Sequence, residues 1–287
     1  MYRTMPVVFG LLLSLVQVAS TAFGATYYLS PSGSNSASGT SAGSPWKTFQ
    51  DAFSRMSPGD ELILLDGTYS EAAGTGYISY LGTNSGQPPS GIDRDRFTII
   101  RAQNPGEVKV IGRLFLGRRP RKDSFIKIQG ITFEGGGSLY NTSYVYLKDS
   151  GFHSANKSGP VLGIGTNDHA NGNTNNLVED VWVWGQERII AITYQADNNV
   201  WRRVVVRGDG CDSAACTGSG NPTVGITVYN SRNVSLQNIL VIDRVLGGGT
   251  PYGDFATAQH APGSALGPAE WLGCISFIAR PESCSGG

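Results

Sequence analysis

Ile126-Lys-Ile128-Gln-Gly130-Ile131-Thr-Phe133 is the stretch that decides the fold. Apolar and polar residues alternate on both sides of one turn residue. Side chains alternate across a strand, so the four apolar residues share one face. The pattern recurs in Val145-Tyr-Leu147-Lys-Asp149-Ser150-Gly-Phe152, where Ser150 breaks an apolar position. It returns in Val178-Glu-Asp180-Val181-Trp-Val183 and in Trp201-Arg-Arg203-Val204-Val-Val206. Two further copies are Val234-Ser-Leu236-Gln-Asn238-Ile239-Leu-Val241 and Leu272-Gly-Cys274-Ile275-Ser-Phe277. The turn positions 130, 149, 180, 203, 238 and 274 are separated by 19, 31, 23, 35 and 36 residues.

A weaker strand precedes several copies: Val161-Leu-Gly-Ile164, Ile189-Ile-Ala-Ile192 and Val224-Gly-Ile-Thr-Val228. Each winding then holds three short strands, and the longer windings carry loops. Hairpin dipeptides do not fall at regular places, which argues against a meander. Strands too short to bury a face alone, repeated at this spacing, predict a stacked parallel solenoid.

Upstream, residues 44–56 (SPWKTFQDAFSRM) predict a helix. Ser44 caps it, Pro45 takes the first helical position, and Trp46, Phe49, Ala52 and Phe53 share a face. Ser57-Pro-Gly-Asp60 ends it, followed by the strand Glu61–Leu65 and the turn Asp66-Gly-Thr-Tyr69. Farther out, Arg3, the apolar run Pro6–Val18 and Ala22-Phe23-Gly24 read as a secretory signal peptide spanning 1–24. The run is short for a membrane anchor. The mature chain is then 25–287, exported and without a further membrane segment.

Composition fits this reading. The chain has 287 residues, of which 39 are Gly and only 15% are charged, as turns between short strands require. Its 22 Lys+Arg balance 22 Asp+Glu, which argues against a nucleic-acid binder held by a basic face. Export permits disulfides. Cys211 with Cys216 reads as a short loop staple and Cys274 with Cys284 as a second. Three connectivities are possible, and four free thiols are the alternative. With three His and no Cys-x-x-Cys, a zinc site is not indicated.

The opening Thr26-Tyr-Tyr-Leu-Ser-Pro-Ser-Gly-Ser34, the Ser44-Pro-Trp-Lys-Thr-Phe49 segment, Ser57-Pro-Gly-Asp60 and Asp66-Gly-Thr-Tyr69 resemble the start of secreted right-handed parallel β-helix proteins. The resemblance is to the pectate-lyase-like superfamily, including polysaccharide lyases of the chondroitinase B and alginate lyase kind. It covers most of residues 26–280 and implies an all-β, right-handed parallel β-helix with an N-terminal capping helix. An uncovered end would expose apolar side chains and unpaired backbone. At the other end, the last winding near 264–279 is followed by eight residues without an evident cap. The tail with a disulfide, a capping partner or a missing segment would have to close it.

Stacking turns equivalent positions into columns about 4.8 Å apart. The column before the turn reads Gln129, Lys148, Glu179, Arg202, Gln237, Gly273, a charge ladder on an outward face. The turn column reads Gly130, Asp149, Asp180, Arg203, Asn238, Cys274. Its two carboxylates either take Ca²⁺ or form a turn ladder steadied by Arg203. The column after the third strand reads Glu134, His153, Trp184, Arg207, Ile242, Ile278 and opens into the longest loops.

Function usually sits on such loops. Arg207, Arg188, Asp209 and Asp212, with Asp243, Arg244, Tyr252 and His260, would line a groove. The resemblance implies β-elimination on an acidic polysaccharide, with Lys or Arg as base. Arg207 and Arg244 are then the catalytic candidates. Asp209, Asp212 and Asp243 are the Ca²⁺ candidates, and Arg188, Trp184, Tyr252 and His260 the substrate-binding ones. A cation must neutralise the uronate as its α-proton leaves. A non-catalytic glycan-binding rod and a hydrolase with paired carboxylates such as Asp209 and Asp243 are the competing readings. Arg113, Arg118, Arg119, Arg121 and Lys122 form a basic run that reads as an anion-binding patch or a solvated connection. Trp182 and Trp184 point outward in this register.

Overall fold

A computed structural model describes residues 24–155, 159–165, 173–210, 224–243, 254–259, 270–271 and 275–278. Residues 1–23 of the expected signal peptide and the four cysteines lie outside the described residues. Every strand pairing is parallel, and each strand pairs with its equivalent in the next winding. The chain is a right-handed parallel β-helix. One winding shows the rule: Asp123–Gln129 lies in a first sheet, Ile131–Glu134 in a second and Gly137–Leu139 in a third. The next winding repeats it with Thr142–Lys148, Gly151–Ser154 and Pro160–Gly165. Farther along, the first two strands fuse into Leu177–Gly185, Val200–Gly208 and Ser235–Asp243, bent at their middle. The weaker strands expected from sequence fall in the third sheet, as Pro160–Gly165, Ile189–Tyr194 and Val224–Tyr229.

The sharp corner between first and second sheets explains the turn column. Gly130, Asp149, Asp180, Arg203 and Asn238 adopt positive φ of 75°, 48°, 54°, 51° and 52°. Asp and Asn tolerate this region better than most residues, and Gly is free in it. Arg203 has no such intrinsic preference; its guanidinium is held by the Asp180 carboxylate one winding back, Nε–Oδ1 2.6 Å and Nη2–Oδ2 2.8 Å.

The core runs the length of the stack. Ile128, Leu147, Val178, Trp201 and Leu236 form one inward column, aligned by register. Phe133, Phe152, Val183, Val206 and Val241 form another, with Phe133 and Phe152 stacked at 5.1 Å between centroids. Polar rungs close the corner between third and first sheets. Buried Asn176 donates from Nδ2 to Oδ1 of buried Asn199, 3.0 Å, and its own Oδ1 accepts from Val145 N, 3.0 Å. Such side chains give buried turn backbone its hydrogen-bond partners.

The helix at the N-terminal end is shorter than expected. It spans Phe49–Arg55, capped by Thr48, whose Oγ1 accepts from Asp51 N at 3.2 Å. Residues 44–47 do not join it, because Trp46 pairs as backbone with the first strand: its N donates to Tyr28 O and its O accepts from Ser30 N. The Trp46 ring stacks on Tyr27 at 4.6 Å. Phe49, Ala52 and Phe53 are buried against Leu29 and Tyr69, so the helix covers the end of the core.

Candidate functional site

The outer face of the second sheet gathers the side chains that carry chemistry. Register aligns Ile111, Glu134, His153, Trp184, Arg207 and Ile242 in one column. Glu134 Oε2 lies 2.5 Å from His153 Nδ1, and Glu134 Oε1 lies 3.9 Å from Lys109 Nζ. The carboxylate therefore holds one ring nitrogen of His153 and fixes the imidazole plane. That ring stacks on Trp184, with centroids 5.3 Å apart and planes at 20°. Arg207 follows on the next rung. Its guanidinium pairs with buried Asp209, Nε–Oδ1 2.8 Å and Nη2–Oδ2 2.9 Å.

The neighbouring column reads Lys109, Thr132, Gly151, Trp182, Val205 and Leu240. Gly151 is a gap in it. A Cβ there would come within 3.1 Å of Trp184 Cζ3 and 3.3 Å of Thr132 Oγ1. The indole of Trp184 thus leans over the glycine, and a depression of about 530 Å³ opens between Thr132 and Trp182. Asp149, Asp180 and Arg207 line it as well. Trp182 is 51% exposed, an unusual fate for an indole, while Val181 and Val183 beside it are buried. Both tryptophans point outward, as the alternation required.

Electrostatics divide this face in two. At the corner, Glu179 is engaged by Arg202 and Arg203 and approached by Lys148 Nζ at 3.9 Å. The hydrogen bond from Arg202 holds its carboxyl below the usual carboxylate range, and that from Arg203 does the same to Asp180. Asp149 Oδ2 accepts from Gln129 Nε2 at 3.0 Å. The two turn carboxylates are therefore a hydrogen-bonded ladder. Among the described residues no group of three or more His, Cys, Asp or Glu is placed to hold a metal. Asp209, expected as a Ca²⁺ ligand, pairs with Arg207, and the side chains of the other two expected ligands, Asp212 and Asp243, lie outside the described residues.

Of the other expected site residues, Arg188 alone has a described side chain. Arg188 sits at the turn into the third sheet, where its O accepts from Val224 N at 2.9 Å; burial pushes its guanidinium pKa down. Asp212, Arg244, Tyr252 and His260 lie outside the described residues, and Asp243 is described only as strand backbone paired with Gly208. The basic run does not form one patch. Arg113 turns inward onto the carbonyls of Gly135, Gly137 and Pro160, Arg118 lies over the Tyr80 ring at 4.2 Å, and Arg121 pairs with buried Asp123. His153 carries chemistry that sequence reasoning left unassigned. The signal was present, since the column alignment already set it beside Glu134.

No protein-family model matches the chain, and no curated protein matches it. Solved structures do. A pectate lyase, Pel9A, is similar over 88% of this chain and 61% of its own, at 15% identity and a TM-score of 0.50. An alginate lyase from Paenibacillus sp. str. FPU-7 is similar over 80% of this chain and 92% of its own, at 14% identity and a TM-score of 0.43. A GH136 lacto-N-biosidase from Eubacterium ramulus covers 82% of this chain and 56% of its own, at 11% identity and a TM-score of 0.40. The chain thus spans about three fifths of the pectate lyase structure, at 61%. What that likeness establishes is the fold class: a right-handed parallel β-helix. The particular activity has to come from the site, because one fold hosts many functions.

Proposed function

We propose that the protein is an exported β-helix that binds an acidic polysaccharide along the outer face of its second sheet and cleaves it by β-elimination. Residues 1–24 act as the signal peptide in this reading, and 25–287 form one β-helix domain. The observation that carries it is the column Glu134–His153–Trp184–Arg207. It sets a carboxylate-oriented imidazole, a stacking surface and a guanidinium on successive rungs. The pectate lyase among the similar structures supports the reaction class.

Each group has a task. Trp182 presents an open aromatic face on which a sugar ring stacks. Arg207 meets the uronate carboxylate. His153 and Arg207 are two rungs apart, about 9.6 Å by backbone spacing, a span that one uronate and two side chains bridge. With Nδ1 committed to Glu134, Nε2 of His153 takes the proton α to the carboxylate. The electron pair left behind forms the C4=C5 double bond as the bond from C4 to the glycosidic oxygen breaks. The imidazolium then returns a proton to the leaving oxygen. General-base catalysis of this kind contributes roughly 10²–10⁴-fold. This assigns the base to His153 and gives Arg207 the clamp, because Asp209 fixes the position of the Arg207 guanidinium.

The test is a panel of pectate, alginate and glycosaminoglycan substrates, with and without Ca²⁺. Unsaturated uronate product, followed by its ultraviolet absorbance, is the expected result on at least one of them. His153→Ala should lower kcat by about 10²-fold or more with little change in KM, and Glu134→Gln should lower it less. New reducing ends without absorbance would replace the reading with hydrolysis. Binding without product would make the protein a glycan-binding rod. That second reading draws on one observation: the Arg207 charge is largely met by Asp209 before any substrate arrives.

A further inference from the structure

The third sheet carries a separate aromatic row on its outer face. Tyr80 meets Phe115 edge-on at 4.7 Å, and Phe115 stacks on Tyr140 at 5.3 Å. Farther along the stack, Tyr194 and Tyr229 lie nearly parallel, with centroids 5.1 Å apart and planes at 4°. Between the two groups the row is interrupted. Register sets Gly165 beside Tyr194 and Gly163 beside Ser138 and Ile192, so beyond Pro160 the strand Pro160–Gly165 carries only glycines on this face. Its two glycines have different reasons. Gly165 has φ of 126°, and a Cβ there would lie 1.8 Å from Tyr194 O, so the backbone itself demands glycine. Gly163 has no such constraint. Its limit is side-chain packing: a Cβ would press on Pro160 Cγ at 3.3 Å and Ile192 Cγ2 at 3.4 Å and touch Pro160 Cβ at 3.9 Å, so these side chains would have to give by a few tenths of an ångström. A bare glycine inside a strand leaves the backbone open to close approach beside those two side chains.

The gap is a slot of about 320 Å³ lined by Tyr140, Tyr194, Gly163, Gly165, Ile192 and Arg113. Tyr140 and Tyr194 stand two rungs apart, about 9.6 Å, which is room for one ring between two aromatic walls. One face of Tyr194 is covered by Tyr229, so the opposite face looks toward the empty rung. Tyr140 is 42% exposed. The polar end of the slot is Arg113, whose hydrogen bonds go to the neutral carbonyls of Gly135, Gly137 and Pro160 and the Ser138 hydroxyl.

The geometry points to a second glycan subsite on the third sheet, in which a single pyranose ring replaces the missing aromatic rung between Tyr140 and Tyr194. The ring's apolar faces meet the two tyrosines, and its hydroxyl or carboxylate edge meets Arg113. Only one ring fits, so the slot takes a chain end or a one-residue branch. It stands apart from the Glu134–His153–Trp184–Arg207 column and does not rest on β-elimination.

The test measures binding, not turnover, by calorimetry in a Trp182→Ala background that weakens the second-sheet face. The probes are a uronate trisaccharide and a neutral hexose trisaccharide; whichever binds identifies the edge group that Arg113 takes. Gly163→Val fills the slot and Tyr140→Ala removes one wall, with melting curves to verify folding. Each should weaken binding about tenfold, the usual worth of one ring stack. Should Gly163→Val fail to fold, the exposed Tyr140→Ala decides. Affinities within twofold of the parent in the folded variants, or no binding of either trisaccharide by the parent, would overturn the proposal. Preferential uptake of a planar aromatic such as indole would overturn the sugar assignment.

Discussion

Tyr69 closes the Asp66-Gly-Thr-Tyr69 turn with one hydroxyl. Its Oη lies 2.8 Å from Leu29 O and 2.7 Å from Leu65 O, joining two successive windings under the capping helix. The side chain is fully buried, and that burial pushes its pKa far above the ordinary phenol value. Tyr69→Phe leaves the ring in place but removes the hydroxyl donor from Leu65 O, while Leu29 O keeps its bond from Leu65 N. It should cost about 1–3 kcal/mol in a urea titration, with the far-ultraviolet spectrum unchanged. The same scale shows where a sequence pattern breaks and why. Ser150 occupies an apolar position of the repeat, yet its Oγ accepts from Ile131 N at 3.3 Å and donates to Lys148 O at 2.7 Å. A hydroxyl sits there because the adjoining corner leaves backbone groups to satisfy. His153 was legible only as a letter in a column; its role needed the 2.5 Å contact with Glu134.

Between residues and the whole, the corner ladder is the element with a measurable pH signature. Glu179 is buried and receives hydrogen bonds from Arg202 and Arg203, which lower its folded-state pKa; Asp180 is lowered likewise by Arg203. A depressed carboxylate stabilises the fold above its unfolded value and loses that contribution as pH falls through its folded value. The Glu179 contribution is thus complete above its ordinary value of 4.5 and drains away below it. The melting temperature of the parent should fall more steeply below about pH 4.5 than that of Glu179→Gln. Parallel curves for the two proteins would show that the ladder adds nothing to folding. The ladder was readable from spacing alone, because alternating charges at one register position become neighbours. The helix start was not. Ser44-Pro45 is a sound local capping signal, but it was overruled when the Trp46 backbone bonded to Tyr28 and Ser30.

On the scale of the molecule, each winding touches little beyond its neighbours, so damage should spread by contact. Leu147 is fully buried between Ile128 and Val178 of adjacent windings. Leu147→Ala should cost about 2–5 kcal/mol. Hydrogen exchange should quicken first in Asp123–Gln129 and Leu177–Gly185 and last in Thr26–Leu29. Uniform loss of protection would mean that the stack unfolds as one unit.

Much of this architecture was written in the sequence alone: the winding period, the inward and outward faces, and the columns that align Gln129 with Lys148 and Glu179, and Glu134 with His153, Trp184 and Arg207. Period-two alternation and parallel stacking are local rules, and together they convert spacing into adjacency. Three things were decided only in three dimensions. Asp209 was paired with Arg207, Asn176 and Asn199 were turned inward, and bare Gly165 was left between tyrosines from other windings. Each depends on a distance between side chains whose lengths and rotamers the repeat does not specify.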